Sequence, residues 1–258
     1  MILVELIPKQ LQDVMDEALL LRTNFPLISG FNIPDLLKYP LRSYDVAMAM
    51  SSSGLLAIPH LRLCDFTLDS LAIRCQELYQ LGVQSILVIS GDGAGQVDVV
   101  GMIRRIHSIL PHMSIYVALD PYRQSLDAEM GYVKQKLDAG AVGVFTQPFF
   151  DMALARSFSR HCQDIPVFWG LSPVLSVASQ AYWERVNRVV FPPSFSATLE
   201  WNIGFSHELI EWALEMNHHV YMMPIRLDAM EWMGHLFKRD GGASHPASPK
   251  VKPHWNPQ

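Results

Sequence analysis

The stretch LDAEMGYVKQKLDAGAVGVFTQPFFD, residues 126–151, contains one whole helix-to-strand unit. Leu126, Met130, Val133 and Leu137 recur at helical spacing and predict a helix with a single apolar face. Gly140 follows, where a left-handed C-terminal cap belongs. Val142 to Thr146 is then a short apolar run of the kind that forms a buried strand. That run ends in the amide of Gln147 and two phenylalanines, and Asp151 is placed to cap the next helix.

The same unit repeats in both directions. Further apolar runs lie at Ile2 to Ile7, Leu27 to Asn32, Leu55 to Leu61, Ser85 to Ser90, Ser114 to Leu119, Val167 to Leu171 and His219 to Met222. Helical spacing separates most of them, as in Leu68, Leu71, Cys75 and Leu78, which Gly82 terminates. Strands that are apolar throughout are covered on both faces, which requires parallel pairing through helical crossovers. Eight such units predict an α/β fold, a single-domain (β/α)8 TIM barrel spanning residues 1–238. The 258-residue length agrees with one such domain. Residues 174–206 break the rhythm at Pro192 and Pro193 and are expected to form an irregular excursion, with helical pattern resuming only near Glu208. Residues 239–258, rich in Gly, Pro and Ser, are expected to be a tail outside the fold.

Composition narrows the function. Half of the residues are hydrophobic and 17% are charged, enough apolar surface for a large core. A net charge of -5 provides no cationic field for nucleic acid or anionic lipid, so a small-molecule partner is expected. Cys64, Cys75 and Cys162 form no C-x-x-C pair, which argues against a disulfide framework or zinc ribbon and for a reducing cytoplasm. The opening MILVELIPKQ has the features of neither a signal peptide nor a membrane span. No His or Cys spacing suits a metal: His161–Cys162 and His218–His219 are adjacent pairs whose side chains diverge. The Met and Trp residues of DAMEWMGHLF read as a packed last helix.

In such barrels chemistry gathers where strands run out into βα loops. The polar residues at those ends are Glu5, Asn32, Asp35, His60, Arg62, Asp65, Asp92, Asp120 and Gln147, expected to converge on one rim. Glu5, inside VELIP, either has a carboxyl whose pKa burial raises toward that of a general acid or pairs with a cation such as Arg62. Asp92 lies in ILVISGDGAG, whose glycines at 91, 93 and 95 lack the third glycine of G-x-G-x-x-G, so the dinucleotide fingerprint fails. A turn gripping a ring or pyrophosphate stays open there. His60 reads as a hydrogen-bonded residue rather than a metal ligand. Gln147 can donate and accept toward a flat heterocycle, against which Phe149 and Phe150 either stack or simply pack in the core.

VELIP, IPHLR, ILVISGD, KQKLDAGAVGVFTQPFFD and IPVFWGLSPV, in that order from Glu5 to about Arg226, resemble strand motifs of the methylenetetrahydrofolate reductase family. The resemblance implies a flavoprotein in which NAD(P)H reduces FAD and the flavin reduces methylenetetrahydrofolate to methyltetrahydrofolate. It implies Glu5 as general acid toward the folate and Asp92 beside flavin and pterin. Gln147 would contact the folate, with Phe149 beside it. For the flavin it implies His60, Asp120, Glu129 and Lys136. Tyr132 and Gln135 stand where better-known bacterial members carry an asparagine and an arginine. These departures motivate FMN as an alternative to FAD, and a second reading as a flavin-independent folate-binding or methyl-transfer barrel. A third is a reductase subunit fed by an electron-transfer protein. The expected partners are the folate and either a second copy of the chain or that electron donor.

Overall fold

Eight parallel strands close in sequential order into a barrel: β1 (Ile2–Glu5), β2 (Ile28–Ile33), β3 (Ala57–Arg62), β4 (Ser85–Ile89), β5 (Ser114–Leu119), β6 (Gly143–Pro148), β7 (Val167–Leu171) and β8 (His219–Met222), with β8 pairing on β1. This computed structural model describes residues 1–92 and 97–237. The expected tail at 239–258 and the Gly93–Gln96 part of the loop after β4 therefore lie outside the described residues.

Helices α1 (Leu11–Asn24), α2 (Ser43–Ser52), α3 (Leu68–Gln80), α4 (Val99–Ile109), α5 (Leu126–Asp138) and α6 (Met152–Ser159) each return the chain from one strand to the next. Gly82 and Gly140, at φ 86° and 115°, supply the left-handed turns expected of them. Asp151 caps α6, its Oδ1 accepting from the Ala153 amide at 2.7 Å. Helix α9 (Ala229–Phe237) buries Trp232 and Met233, which is the packed last helix expected of DAMEWMGHLF.

The stretch between β7 and β8 differs from expectation. It contains two helices, α7 (Val177–Asn187) and α8 (Leu199–Glu215), so helix resumes nine residues before Glu208. Pro192 and Pro193 interrupt only the link between them. That link carries Phe191 and Phe195 onto Phe150, Trp183 and Trp201, an aromatic cluster that ties both helices to the β6–α6 junction.

The apolar interior has two layers. Within the barrel lie Leu3, Ile58, Leu87, Tyr116, Phe145, Phe168, Tyr221 and Met223, with Phe145 and Phe168 stacked at 4.1 Å. A larger layer between sheet and helices includes Phe149, Phe158, Trp169 and Trp232. Among the described residues no helix is long and apolar enough to cross a membrane.

Candidate functional site

Side chains alternate along a strand, so the residue two beyond each inward apolar side chain forms the next layer toward the C-terminal mouth. On β1, Leu3 is followed by Glu5; on β3, Ile58 by His60. Asn32 of β2 stands beside Glu5 in register and beside Ile58 on its other side. Tyr221 reaches this layer from β8, and its hydroxyl donates to Glu5 Oε2. Asn32 Nδ2 lies 3.2 Å from His60 Nε2, and both side chains are buried. A neutral His60 with its proton on Nδ1 accepts that bond. Burial raises the Glu5 carboxyl to about 7, only partly opposed by the Tyr221 hydrogen bond. Burial also lowers His60 to about 3, which keeps it neutral at any ordinary pH. Asn32 Oδ1 is buried with no hydrogen-bond partner among the described residues, although the Asn32 amide also lies beside the Tyr221 hydroxyl.

Glu5 therefore does not pair with Arg62, the bland alternative raised by the sequence. The Arg62 guanidinium is engaged by Asp65 and Asp92, both at 3.3 Å. Asp65 in turn meets Arg42 at 2.8 Å, and Arg42 also clasps the buried Asp35. Asp35, Asp65 and Asp92 thus belong to a chain of ion pairs along one side of the rim. The Asp92 side chain, just beyond the end of β4, is 96% exposed apart from this contact with Arg62.

On the opposite side, the β6–β7 pairing slips between Phe145 and Pro148. Thr146 Oγ1 accepts the Gly170 amide there at 2.7 Å, and half-buried Gln147 stands at the irregularity. Strict alternation is not kept beyond this irregularity. Phe149 would share the inward face of Phe145 under strict alternation, but it is fully buried on the outside of the sheet against Phe158 and Trp169. The expectation that Phe149 contacts substrate is corrected for that reason. Phe150 packs in the aromatic cluster.

The expected flavin residues of α5 also sit differently. Glu129 is fully buried and accepts from the Asp120 amide at 3.0 Å, from Arg123 at 2.7–3.2 Å and from Gln124 at 2.8 Å. Lys136 donates to Ala118 O at 2.7 Å, and its ammonium lies 4.1 Å from the Tyr132 ring centroid; burial lowers it to about 8. Asp120 Oδ1 accepts the Tyr122 amide. Glu129, Lys136 and Asp120 are thus held by their own chain, because an unpaired charge there would be buried at high cost. What they support faces outward: an open cleft of about 530 Å³ lined by Arg123, Gln124, Ala128, Gly131, Tyr132 and Gln135. Arg123 comes from a loop residue without periodic signal, and it stacks 5.1 Å over Tyr132.

The model of the methylenetetrahydrofolate reductase family matches residues 40–211, more than half of the chain. The chain belongs to this family. Curated relatives include the 5,10-methylenetetrahydrofolate reductases of Salmonella typhimurium, 28% identical over 160 residues (57% of this chain, 54% of the relative), and Escherichia coli, 29% over 152 residues (54% and 51%). Methylenetetrahydrofolate reductase 2 of Saccharomyces cerevisiae is 25% identical over 183 residues, 60% of this chain and 30% of that protein. The chain spans about half the length of the bacterial relatives it matches.

Among solved structures, an uncharacterized protein from Clostridium thermocellum that binds two copies of 5-methyl-5,6,7,8-tetrahydrofolic acid has a TM-score of 0.66 at 13% identity, covering 92% of this chain and 93% of that one. A 2,3-dimethylmalate lyase follows at 0.57 and 13%, covering 90% and 77%. At such identities these likenesses show the fold alone. The family match takes in His60, Asp92, Gln147 and the α5 cleft. Glu5, Asn32 and Tyr221 lie outside residues 40–211, so their grouping rests on the barrel geometry itself.

Members of the family are in general flavin-dependent, and the donor set can be tested for such a group. The cleft combines a guanidinium, two side-chain amides and an aromatic face, with the Lys136 ammonium behind them. That chemistry suits a diphosphate joined to flat rings. It is compatible with the phosphate-bearing part of a flavin, with Arg123, paired to Glu129, as the guanidinium of the cleft where Gln135 provides none.

Proposed function

We propose that this chain reduces 5,10-methylenetetrahydrofolate to 5-methyltetrahydrofolate at the barrel mouth, with Glu5 as general acid. The single observation that carries the reading is a carboxyl buried to a pKa of about 7, hydrogen-bonded by Tyr221 and adjoining the unpartnered Asn32 acceptor. An acid of that strength is protonated and able to donate near neutral pH. Glu5 passes its proton to one nitrogen of the imidazolidine ring, the C–N bond to the bridging carbon breaks, and the iminium left behind accepts a hydride. Gln147, with a donor and an acceptor on one amide, reads the pterin edge. Neutral His60 and Asn32 hold the polar layer without adding charge, which keeps the developing cation close to the Glu5 carboxylate.

When bound, FAD reduced by NAD(P)H would be the source of that hydride. In this reading Arg123, Gln124, Tyr132 and Gln135 hold its phosphate-bearing tail, while Glu129 and Lys136 fix the Arg123 and Tyr132 side chains. Arg123→Ala should weaken FAD binding by 10-fold or more and leave riboflavin binding nearly unchanged, measured by quenching of flavin fluorescence. Equal affinities of wild type and variant for FAD would remove the cleft from the cofactor site.

The reaction is tested by supplying the purified protein anaerobically with FAD, NADH or NADPH, and methylenetetrahydrofolate. Formation of 5-methyltetrahydrofolate is expected. No product with either nicotinamide, but product with an artificial reductant, would point to a subunit fed by an electron-transfer protein. No product with any reductant would exclude the reductase reading.

A further inference from the structure

The contact between Tyr221 and Glu5 joins the last strand of the barrel to the first, and it gives the carboxyl only one orientation for its proton. β8 pairs with β1 at Val4 and Met222, so the two side chains are carried by strands locked in register rather than by loops. Tyr221 is 4% exposed and its phenol is raised well above the ordinary value by burial and by the Glu5 carboxyl, opposed only in part by a hydrogen bond with Asn32, so it keeps its proton and donates. Its ring is held in turn by edge contacts with Phe145, centroids 5.3 Å apart, and His60 at 6.4 Å. Across the mouth layer, β2 presents Asn32 and β3 presents neutral His60; the displacement of Glu5 has only burial and the Tyr221 bond as causes.

We propose that Tyr221 is the positioning residue of the Glu5 carboxyl: by donating to Oε2 it reserves that oxygen as an acceptor and confines the transferable proton to Oε1. This rests on the reading of Glu5 as the acid. The two oxygens of a protonated carboxyl are distinct, and one that accepts a phenol hydrogen bond does not also hold the proton on the same lone pair. After proton transfer the same bond stabilises the carboxylate, so Tyr221 assists more in the ionised state than in the protonated one.

The test uses the full-length chain labelled with [δ-13C]glutamate, with Glu5→Gln assigning the Glu5 signal, and titrates it in wild type and Tyr221→Phe. Loss of a donor that favours the carboxylate should raise the Glu5 midpoint by about 1 pH unit, the size expected for one charge-assisted hydrogen bond. In folate reduction kcat should fall about tenfold, with KM changed less than threefold and the alkaline limb of the pH profile displaced upward to match. A midpoint unmoved within 0.3 pH unit (about 0.4 kcal/mol) would overturn the proposal even if activity fell, since a merely structural tyrosine would do that. A displaced midpoint in a protein that makes no methyltetrahydrofolate would leave the pairing intact and refute the functional reading instead. Should Tyr221→Phe fail to fold, wild-type chain grown with 3-fluorotyrosine, a stronger donor, should show a lowered midpoint, and an unmoved one would overturn the proposal equally.

Discussion

Glu5→Gln should abolish methylenetetrahydrofolate reduction, lowering kcat by a factor of about 10²–10⁴, the usual contribution of a positioned general acid. Oxidation of NAD(P)H with an artificial acceptor should survive nearly intact, because that half-reaction needs no proton from Glu5. The variant should also be the more stable protein at and above neutral pH. In the native chain the Glu5 carboxyl is raised from 4.5 to about 7 by burial. A raised acid favours the fold fully below the unfolded value of about 4.5, and that contribution is lost as pH rises through about 7. A neutral glutamine carries no such dependence. Wild-type stability should therefore decline between pH 5 and 8 relative to Glu5→Gln, by about 1–3 kcal/mol given the partial solvent access of the mouth. Thermal melts of both proteins across that range check the sign. Equal loss in both half-reactions would remove Glu5 from the acid role, and parallel stability profiles would show that its carboxyl is not held against its preferred ionisation.

Phe149→Ala should cost about 3–5 kcal/mol of stability, the range for emptying a large aromatic site in a packed core. The ring is fully buried, meets Phe158 and Trp169 edge-on, and fills the space between β6, β7 and α6. Chemical denaturation should show a lower midpoint with little change in slope. The fraction that remains folded should keep its KM for folate. A stable variant with a raised folate KM would instead put Phe149 in the substrate site and contradict the slip in the β6–β7 register.

The contrast between Gln147 and Phe149 marks how far sequence reading reaches in this fold. The alternation of apolar runs with helical spacing, the capping glycines at 82 and 140 and the cap at Asp151 are local signals, and each was legible because the physics behind it is local. Glu5 stood out because a carboxylate inside VELIP has to find a compensating partner or remain protonated. Phe149 was misplaced because alternation breaks at the irregularity between Phe145 and Pro148, and such a break depends on the neighbouring strand. Helices α7 and α8 were obscured because Pro192–Pro193 break the pattern over a link whose role, burying Phe191 and Phe195, exists only once Phe150 and Trp201 are beside it.

Tyr221 and Arg123 were missed for different reasons. A tyrosine two residues after His219 in HHVYMM has the parity of an inward position and a hydroxyl that demands a partner, which was a usable signal. Arg123 sits in a loop where spacing carries no information, and only the folded chain reveals that it faces the cleft formed by Tyr132 and Gln135. Glu129 and Lys136 were expected as flavin contacts, and the structure pairs both with their own chain. Both are buried and paired, and they contact Arg123 and Tyr132, which line the cleft.

The central claim, that a reduced folate occupies the mouth between Glu5 and Gln147, is tested most directly by calorimetric titration of the protein with 5-methyltetrahydrofolate. This experiment needs neither flavin nor nicotinamide turnover. One site per chain is expected, weakened at least tenfold by Gln147→Ala and unaffected by Arg123→Ala. No binding to the wild-type chain, or binding that Gln147→Ala leaves unchanged, would contradict the account.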